Sequence, residues 1–282
     1  MKPLDIWWVR ILIMAGVLMV SFIVLTRVFT GNDSARVIQS IVYGFCAIVM
    51  VGLESLRSGG QAVASGLVPT AATPRLSLYG ISWGLGAVGA VSCVAYLLGG
   101  RFETVPLAIE LTSISTVVLF AIGEEVVFRG TIFRALEERF SPIAAIFITS
   151  VLFALLHLSN PGSTLISFAN VFLAGVALGT CVAVSRTLWM AIGFHVTWNL
   201  AIALLFGVVS GNDLPLDLVV LDASGILPSL QWLITGPFGV EDGLSTTVIM
   251  IGSLLILKRI KRFDPFVQAA RFQRELGGVP TI

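Results

Sequence analysis

Long apolar segments recur along the whole chain, separated by short polar or charged stretches. A helix that crosses a bilayer core about 30 Å thick needs roughly 20 apolar residues at about 1.5 Å each. Eight segments approach that length: approximately 8–27, 37–56, 76–98, 105–128, 142–158, 164–184, 188–208 and 244–258. The pattern therefore predicts an all-α, polytopic integral membrane protein with about eight transmembrane helices.

The composition agrees with a lipid environment. Of the 282 residues, 56% are hydrophobic and only 12% are charged, whereas soluble chains carry roughly 25% charged residues. A net charge of +1 provides no general attraction for nucleic acid, so no nucleic-acid partner is expected. The three cysteines, Cys46, Cys93 and Cys181, lie in apolar segments without paired spacing, which indicates membrane-embedded residues and not a disulfide framework.

The basic residues sort to one side of this predicted topology. If the N-terminus is cytoplasmic, all 17 Lys and Arg residues except Arg27, Arg36 and Arg101 fall on the cytoplasmic side. Cytoplasmic loops of membrane proteins carry an excess of basic residues. The asymmetry therefore predicts a protein integral to the cell membrane with both termini in the cytoplasm.

The same topology divides the chain into five parts. Residues 1–104 form an N-terminal transmembrane region of about three spans, and residues 105–208 form a core that holds the candidate chemistry. The remaining parts are an acidic, extracytoplasmic and interfacial loop at 209–243, the last span at 244–258 and a basic cytosolic tail at 259–282.

Two pairs of glycines predict close packing between helices. Gly80 and Gly84 lie in one apolar segment, and Gly175 and Gly179 lie in another. Residues four apart share a helix face, and glycines there let a neighbouring backbone approach. We therefore expect both faces to lie against other helices.

Few strongly polar side chains lie within the apolar segments. A charge inside the bilayer costs at least a few kcal/mol and usually faces a cavity, so these residues are the first candidates for function. They are Glu54, Glu110, Glu124, Glu125, Arg129, His157 and His195, with Asn170 and Asn199 as polar neighbours.

The first candidate cluster is Glu124-Glu125-x-x-x-Arg129. On an α-helix, Glu125 and Arg129 share one face, which predicts an ion pair that holds Glu125 ionised. Glu124 lies about 140° away from Arg129 around the helix and has no intrahelical partner. A carboxyl group of this kind in an apolar pocket suits a general base. Glu124 is therefore the candidate base; the alternative is that both glutamates form the wetted cytoplasmic end of a span.

Both histidines of the chain lie in predicted spans. Phe153 precedes His157 by four residues and Asn199 follows His195 by four, so each pair shares a helix face. One buried histidine alone is usually a hydrogen-bonded structural residue. Counted at about 1.5 Å per residue, however, Glu124 and the two histidines reach compatible depths on three helices. Asn199 lies one turn deeper than His195, and a carboxylate, two imidazoles and an amide at mid-membrane depth indicate a hydrolytic centre.

These residues resemble the motifs of the CAAX-protease and bacteriocin-processing family of intramembrane endopeptidases, the type II CAAX prenyl endopeptidase group. The family pattern is E-E-x-x-x-R, then F-x-x-x-H, then H-x-x-x-N. The chain matches each position in order, with Glu124, Glu125 and Arg129, then Phe153 and His157, then His195 and Asn199. The resemblance covers about residues 105–205.

The resemblance implies a role for each motif residue. Glu124 would activate the attacking water, and His157 and His195 would bind that water or a metal ion. Asn199 and His195 would stabilise the oxyanion, with Glu125, Arg129 and Phe153 in support. Two imidazoles and a carboxylate can hold Zn²⁺, but a metal-free mechanism fits the same residues, and no cofactor is the slightly preferred expectation.

The predicted function is an intramembrane endopeptidase with a catalytic cavity between the helices of its C-terminal half. We expect it to cleave peptide bonds near the cytoplasmic side of the membrane, in a CAAX-type C-terminus, a lipidated protein or another membrane-associated peptide. One alternative is a transporter or proton relay, which also uses intramembrane Glu and His. The other is a non-proteolytic scaffold or immunity protein of the same family.

Overall fold

The computed structural model describes residues 6–28, 32–57, 66–105, 111–214, 216 and 219–259. Two predicted features lie outside these residues: Glu110, and the basic tail apart from its first residue. The described chain is mostly helical, as predicted.

Helices occupy each of the eight predicted apolar segments. The helices are α1 (Trp7–Val28), α2 (Asn32–Arg57), α3 (Thr73–Leu97), α4 (Leu111–Glu125), α5 (Arg134–Arg139), α6 (Pro142–His157), α7 (Leu165–Ser185), α8 (Trp189–Phe206) and α9 (Leu244–Arg259). A π-helix, Val126–Phe133, joins α4 to α5, so these three elements form one continuous rod.

Three helices are long and apolar enough to cross a membrane, namely α3, α7 and α8. Shorter apolar helical segments are Trp7–Val17, Pro142–His157 and Leu244–Leu255. These helices are typical of a membrane protein. The number of eight spans stays a prediction.

The all-α prediction omitted short strands in the connections between helices. Strand β1 (Arg101–Thr104) pairs antiparallel with β4 (Val219–Asp222), and β2 (Val208–Val209) pairs with β3 (Asn212–Asp213). The pairing partners of β1 are more than a hundred residues away in the chain, so no local pattern indicates them. The β2–β3 pair turns at Ser210 and Gly211, both with positive φ.

Charged residues gather at the two ends of the helical bundle. One end, which we call the basic end, carries Arg10, Arg57, Arg75, Arg134, Arg139 and Arg186 beside Glu54, Glu137 and Glu138. The opposite end, the acidic end, carries Glu103, Asp213, Asp222, Glu241 and Asp242 beside Arg101. Contacts between segments that are distant in the sequence occur at both ends. Arg186 pairs with Glu137 at 2.6 Å at the basic end, and β1 pairs with β4 at the acidic end.

Close helix packing holds α8 in place. Helix α3 lies parallel to α8, with Gly80 against the backbone of Met190 and Phe194 and with Gly84 against Phe194 and Trp198. A Cβ atom at Gly80 would lie 2.1 Å from the Met190 carbonyl oxygen. Both predicted glycine faces are confirmed as packing faces, since Gly175 and Gly179 lie against Ser150 and Ile146 of α6 in the same way.

Candidate active site

The π-helix directly follows the two glutamates. Glu125 is the last residue of α4, and every residue from Val126 to Thr131 is buried. Arg129 Nη1 donates to Glu125 Oε1 at 3.1 Å, and the side chains of both residues are 0% exposed. The predicted ion pair is therefore confirmed. Glu124 points elsewhere, and 15% of its side chain is exposed.

Arg129 is held by more than its carboxylate partner. Its Nη2 donates to the carbonyl oxygen of Gly175 on α7 at 3.3 Å. Its guanidinium carbon lies 4.5 Å from the ring centroid of Phe153 on α6, which is cation–π geometry. Arg129 thus connects the π-helix to α6 and α7. Phe153 supports the site by packing against the Arg129 guanidinium.

His195 lies between the two glutamates. Its Nδ1 is 2.9 Å from Glu125 Oε1, and its Nε2 is 3.6 Å from Glu124 Oε2. An ionised carboxylate only accepts hydrogen bonds, so Nδ1 of His195 donates to Glu125. In the neutral ring, Nε2 is then an acceptor that faces Glu124. A separation of 3.6 Å is too long for a direct hydrogen bond, and a water molecule between the two acceptors could donate to both.

His157 is the last residue of α6 and is oriented by its own helix. Its Nδ1 donates to the Phe153 carbonyl oxygen at 2.8 Å, which leaves Nε2 as an acceptor in the neutral ring. The Phe153 ring lies 4.5 Å from the His157 ring and 6.1 Å from the His195 ring, between centroids. Phe153 therefore packs between the two histidines as well as against Arg129.

One cavity of about 550 Å³ contains the central residues. Glu124, His157, His195 and Asn199 all line it, as predicted from their depths. Much of the remaining wall is apolar or aromatic, including Phe120, Phe128, Leu178, Phe194 and Trp198. A largely apolar cavity with a few converging polar groups is typical of a ligand or active site. The catalytic roles of these residues stay predictions.

A second acidic residue, Glu241, lies in the cavity wall and was not predicted from the sequence. Glu241 lies in the connection between α8 and α9, is 8% exposed and lines the cavity. Its Oε2 accepts from the Ser210 backbone N–H at 2.6 Å and from Ser210 Oγ at 3.1 Å, and Trp198 Nε1 lies 3.4 Å from its Oε1. Burial raises the pKa of Glu241, and the Ser210 hydrogen bonds and nearby His157 partly offset the shift.

Helix α7 anchors the segment that carries Glu241. Asn170 Nδ2 donates to the carbonyl oxygens of Glu241 and Gly243 at 2.8 and 3.0 Å. Asp242 accepts from the Ser167 backbone N–H at 3.1 Å and from the Thr164 hydroxyl, and so caps the first turn of α7. In the sequence, Glu241 is one of several acids in a loop, and no local signal distinguishes it.

Two other predicted polar residues lie away from the cavity. Glu54 is buried at the basic end, where it pairs with Arg10 at 3.2 Å and with Arg57 at 3.0 Å. Asn170 holds the Glu241 segment through its amide and accepts from Thr247 Oγ1 at 2.6 Å. Both residues therefore have structural partners that explain their burial.

His157 and His195 are the candidate ligands if the site binds a metal ion. Among the described residues, no three His, Cys, Asp or Glu side chains come together in a way that could hold an ion. His195 Nδ1 and His157 Nδ1 already donate to protein oxygens, so only the Nε2 atoms face the cavity.

The apolar helices are consistent with a membrane protein. Residues 106–201 match the model of a family described as type II CAAX prenyl endopeptidase Rce1-like. The match contains all three motifs and confirms over these residues the resemblance that they carry. The chain has no match among curated proteins or among solved structures.

Proposed function

We propose that this protein is a membrane-embedded endopeptidase that uses Glu124 as its general base. The observation that carries the proposal is the contrast between the adjacent glutamates. Glu125 is fully buried and bound by Arg129 and His195, whereas Glu124 lines the cavity and is partly exposed. Only Glu124 can take a proton from a water molecule without breaking an ion pair.

The proposed reaction is hydrolysis of one peptide bond. A water molecule between Glu124 and His195 Nε2 attacks the carbonyl carbon while Glu124 takes one of its protons. The C–O bond forms and the carbonyl electron pair moves to oxygen, where the Asn199 amide donates a hydrogen bond. The C–N bond then breaks, and Glu124 returns the proton to the departing amine.

The other polar residues support this reaction. His157 presents Nε2 to the cavity and helps to bind the water. Glu125 accepts from Nδ1 of His195, which fixes the orientation of the ring and leaves Nε2 as the acceptor that faces the water. Arg129 in turn pairs with Glu125, and Phe153 packs against Arg129 and both histidines.

A membrane-associated or lipidated peptide is the proposed substrate, and the mechanism requires no cofactor. The cavity volume of about 550 Å³ can hold a short segment of extended peptide, and its aromatic wall suits apolar side chains. A CAAX-type C-terminus is one member of this substrate class. The Rce1-like match supports this class of chemistry.

The direct test compares carboxyl-to-amide variants in purified protein with a quenched lipopeptide. We expect Glu124→Gln to lower kcat by about 10²-fold or more, since general-base catalysis contributes roughly that much. The matched control is Glu103→Gln, which changes an exposed glutamate on β1 outside the cavity and should keep full activity. Equal cleavage by wild type and Glu124→Gln would overturn the mechanism.

The same preparation separates the alternative functions. Proton-coupled uptake into liposomes without any cleavage would indicate a transporter instead. Activity should also survive a chelator, with the metal content measured in the same sample. Loss of activity with the metal, and its recovery on adding Zn²⁺ back, would contradict the metal-free form of the mechanism.

A further inference from the structure

Four polar residues of the cavity wall have no part in the proposed reaction. They are Asn160, Ser210, Asn212 and Glu241, which we call the polar wall. Hydrogen bonds join them, because Ser210 contacts each of the other three. They come from the α6–α7 and α8–α9 connections and lie outside the three sequence motifs. Catalysis as proposed therefore does not explain why this part of the cavity is polar.

The hydrogen-bond donors of the polar wall are bonded to protein oxygens. Asn160 Nδ2 and Asn212 Nδ2 donate to the Ser210 carbonyl oxygen at 3.1 and 3.0 Å. The Ser210 backbone N–H and hydroxyl both donate to Glu241 Oε2. A carboxamide has its oxygen and its nitrogen on different sides, so both amide oxygens point away from the Ser210 carbonyl.

The hydrogen-bond acceptors of the polar wall are much less satisfied. Within the part of the chain that the structure describes, no donor is bonded to Asn160 Oδ1 or Asn212 Oδ1. Glu241 Oε1 has only the long contact of 3.4 Å with Trp198 Nε1, although a carboxylate oxygen can accept two hydrogen bonds. The polar wall therefore suits a ligand group that donates hydrogen bonds and accepts none, and Lys and Arg side chains have this property.

The charge of the cavity favours the same kind of group. Its acidic lining residues are Glu124 and Glu241, and no Lys or Arg lines it among the described residues. Glu241 is 8% exposed, and burial raises its pKa because the charged form is poorly solvated. A cationic group beside Oε1 would stabilise the ionised form of Glu241.

An aromatic surface lies next to Glu241. Trp198 contacts Glu241 through its indole nitrogen, lines the cavity and stacks with Phe194 at 6.3 Å between ring centroids. Lys and Arg side chains pack their aliphatic stems against apolar surface while the charged head binds polar groups. A long basic side chain therefore matches both the aromatic surface and the acceptors beside it.

We propose that the polar wall is a recognition subsite for a Lys or Arg side chain of the substrate, with Glu241 as the residue that binds the cationic group. The inference rests on the proposed peptidase function and adds a residue preference within the same class of membrane-associated or lipidated peptides. Apolar side chains of such a peptide occupy the aromatic part of the cavity, and one basic side chain occupies the polar wall. Glu241 is thus a specificity-determining residue and takes no part in bond cleavage.

Paired peptides with purified protein test this preference. Each pair is a quenched, N-acetylated lipopeptide with either Lys or norleucine at one position, so that the two members differ by a charged group on a similar stem. The position is moved in turn along the residues near the scissile bond. At one position we expect kcat/KM for the Lys peptide to exceed that for the norleucine peptide by about tenfold or more, since hydrogen bonds to charged groups contribute at least that factor. Equal values at every position would overturn the inference.

The Glu241→Gln variant tests the residue assignment, because it keeps the size of the side chain and removes its charge. We expect the ratio of kcat/KM between the Lys and norleucine peptides to fall to about one, mainly through KM. A general loss of activity cancels in this ratio. The matched control is Glu103→Gln, an exposed glutamate on β1 outside the cavity, which should keep the wild-type ratio. An unchanged ratio in Glu241→Gln would show that another group binds the cation.

A second variant keeps the test decisive if Glu241→Gln fails to fold. Asn212 is exposed on β3, so Asn212→Leu removes one acceptor of the polar wall without emptying a buried position. We expect this variant to lower the ratio by about threefold, since one of several hydrogen bonds to the cation is lost. A ratio equal to that of wild type would count against the polar wall as the subsite.

Peptide binding separates this inference from the proposed function. The same peptides are titrated against Glu124→Gln protein, which retains the polar wall, and against the Glu124→Gln, Glu241→Gln double variant. Tighter binding of the Lys peptide to the first protein only would support the subsite, even if wild type cleaved neither peptide and the peptidase function were refuted. Equal Kd values of the Lys and norleucine peptides for Glu124→Gln would overturn the subsite and leave the peptidase function to the cleavage assay.

Discussion

Glu124 and Glu125 are neighbours in the sequence, but their surroundings differ completely. Glu125 shares its oxygen Oε1 between Arg129 and His195 in a fully buried position. Glu124 faces the cavity 3.6 Å from His195 Nε2. Helical geometry accounts for this difference, since a rotation of about 100° per residue sends adjacent side chains in different directions. The spacing of four residues between Glu125 and Arg129 was therefore enough to predict which glutamate is bound.

The buried pair predicts a strong and asymmetric effect of mutation. Replacing Arg129 with Met leaves the Glu125 charge buried without its cation, and we expect a loss of about 3–5 kcal/mol in the free energy of unfolding. Glu125→Gln combined with Arg129→Met removes both charges and should cost less than Arg129→Met alone. Thermal unfolding of the three variants in detergent measures the difference, and a double variant no more stable than Arg129→Met would contradict it.

Glu241 gives a pH-dependent prediction, because burial raises its pKa in the folded protein. The folded state then binds the proton more tightly than the unfolded chain, so the free energy of unfolding falls as the pH rises above the ordinary glutamate value of about 4.3. Glu241→Gln does not titrate. We expect wild type to lose stability relative to Glu241→Gln as the pH rises, and unfolding measured across that range checks this.

Glu241→Ala tests the hydrogen bonds of the same side chain. It removes the acceptor of the Ser210 backbone N–H, and an unsatisfied buried donor costs about 1–3 kcal/mol. We therefore expect Glu241→Ala to be less stable than Glu241→Gln at every pH. Equal stability of the two variants would show that the Ser210 contact contributes little.

At the scale of single elements, the π-helix and the α3–α8 contact position the site. The π-helix occupies Val126–Phe133, and π-helical turns are frequently found at functional sites. Spacing on an α-helix predicted the Glu125–Arg129 pair correctly, although only Glu125 belongs to α4 and Arg129 lies within the π-helix. The π-helix itself was not predicted, since it depends on packing against α2, α6 and α7 and has no period of its own in the sequence.

The α3–α8 contact predicts opposite effects for glycines of one helix. Gly80→Ala would place a Cβ atom 2.1 Å from the Met190 carbonyl oxygen and so push α8, which carries His195, away from the glutamates. We expect a loss of roughly 1–3 kcal/mol in stability and reduced peptidase activity. The matched control is Gly86→Ala on the same helix, where nothing lies within 4 Å, and this change should be neutral or slightly stabilising. Similar effects at Gly80 and Gly86 would contradict the packing argument.

At the scale of the whole molecule, the N-terminal helices contact α5 at the basic end. Helix α5 follows α4 and the π-helix without a break. Arg10 of α1 bonds Glu54 of α2 at 3.2 Å and also pairs with Glu138 of α5. The first hundred residues resemble no family that we can name, and their function was left open by the sequence. In the structure they anchor, through this ion network and through α3, the helices that bear Glu124 and His195.

The ion network predicts that Arg10 contributes more than Arg57 to the free energy of unfolding. Arg10 is 1% exposed and joins three helices, whereas the Arg57 side chain is 30% exposed. Arg10→Met leaves Glu54 buried with less compensation, so we expect it to lower the free energy of unfolding by about 3 kcal/mol or more. Arg57→Met, the matched control, should cost about 1 kcal/mol or less. Unfolding of both variants in detergent gives the comparison, and a larger loss for Arg57→Met would contradict the proposed anchoring role.

The amino-acid sequence by itself determined the helical segments, the Glu125–Arg129 pair and four of the residues that line the cavity, namely Glu124, His157, His195 and Asn199. These features follow from hydrophobic run length, helical periodicity and residue spacing, which are local properties of a chain. Only the tertiary structure decided that Glu241 lines the same cavity and that a π-helix follows α4. Each of these depends on contacts between segments far apart in the chain, such as Ser210 with Glu241 and Asn170 with Gly243. Depth counted along single helices predicted that Glu124, His157 and His195 share a level, whereas the cavity that they line depends on how the helices pack.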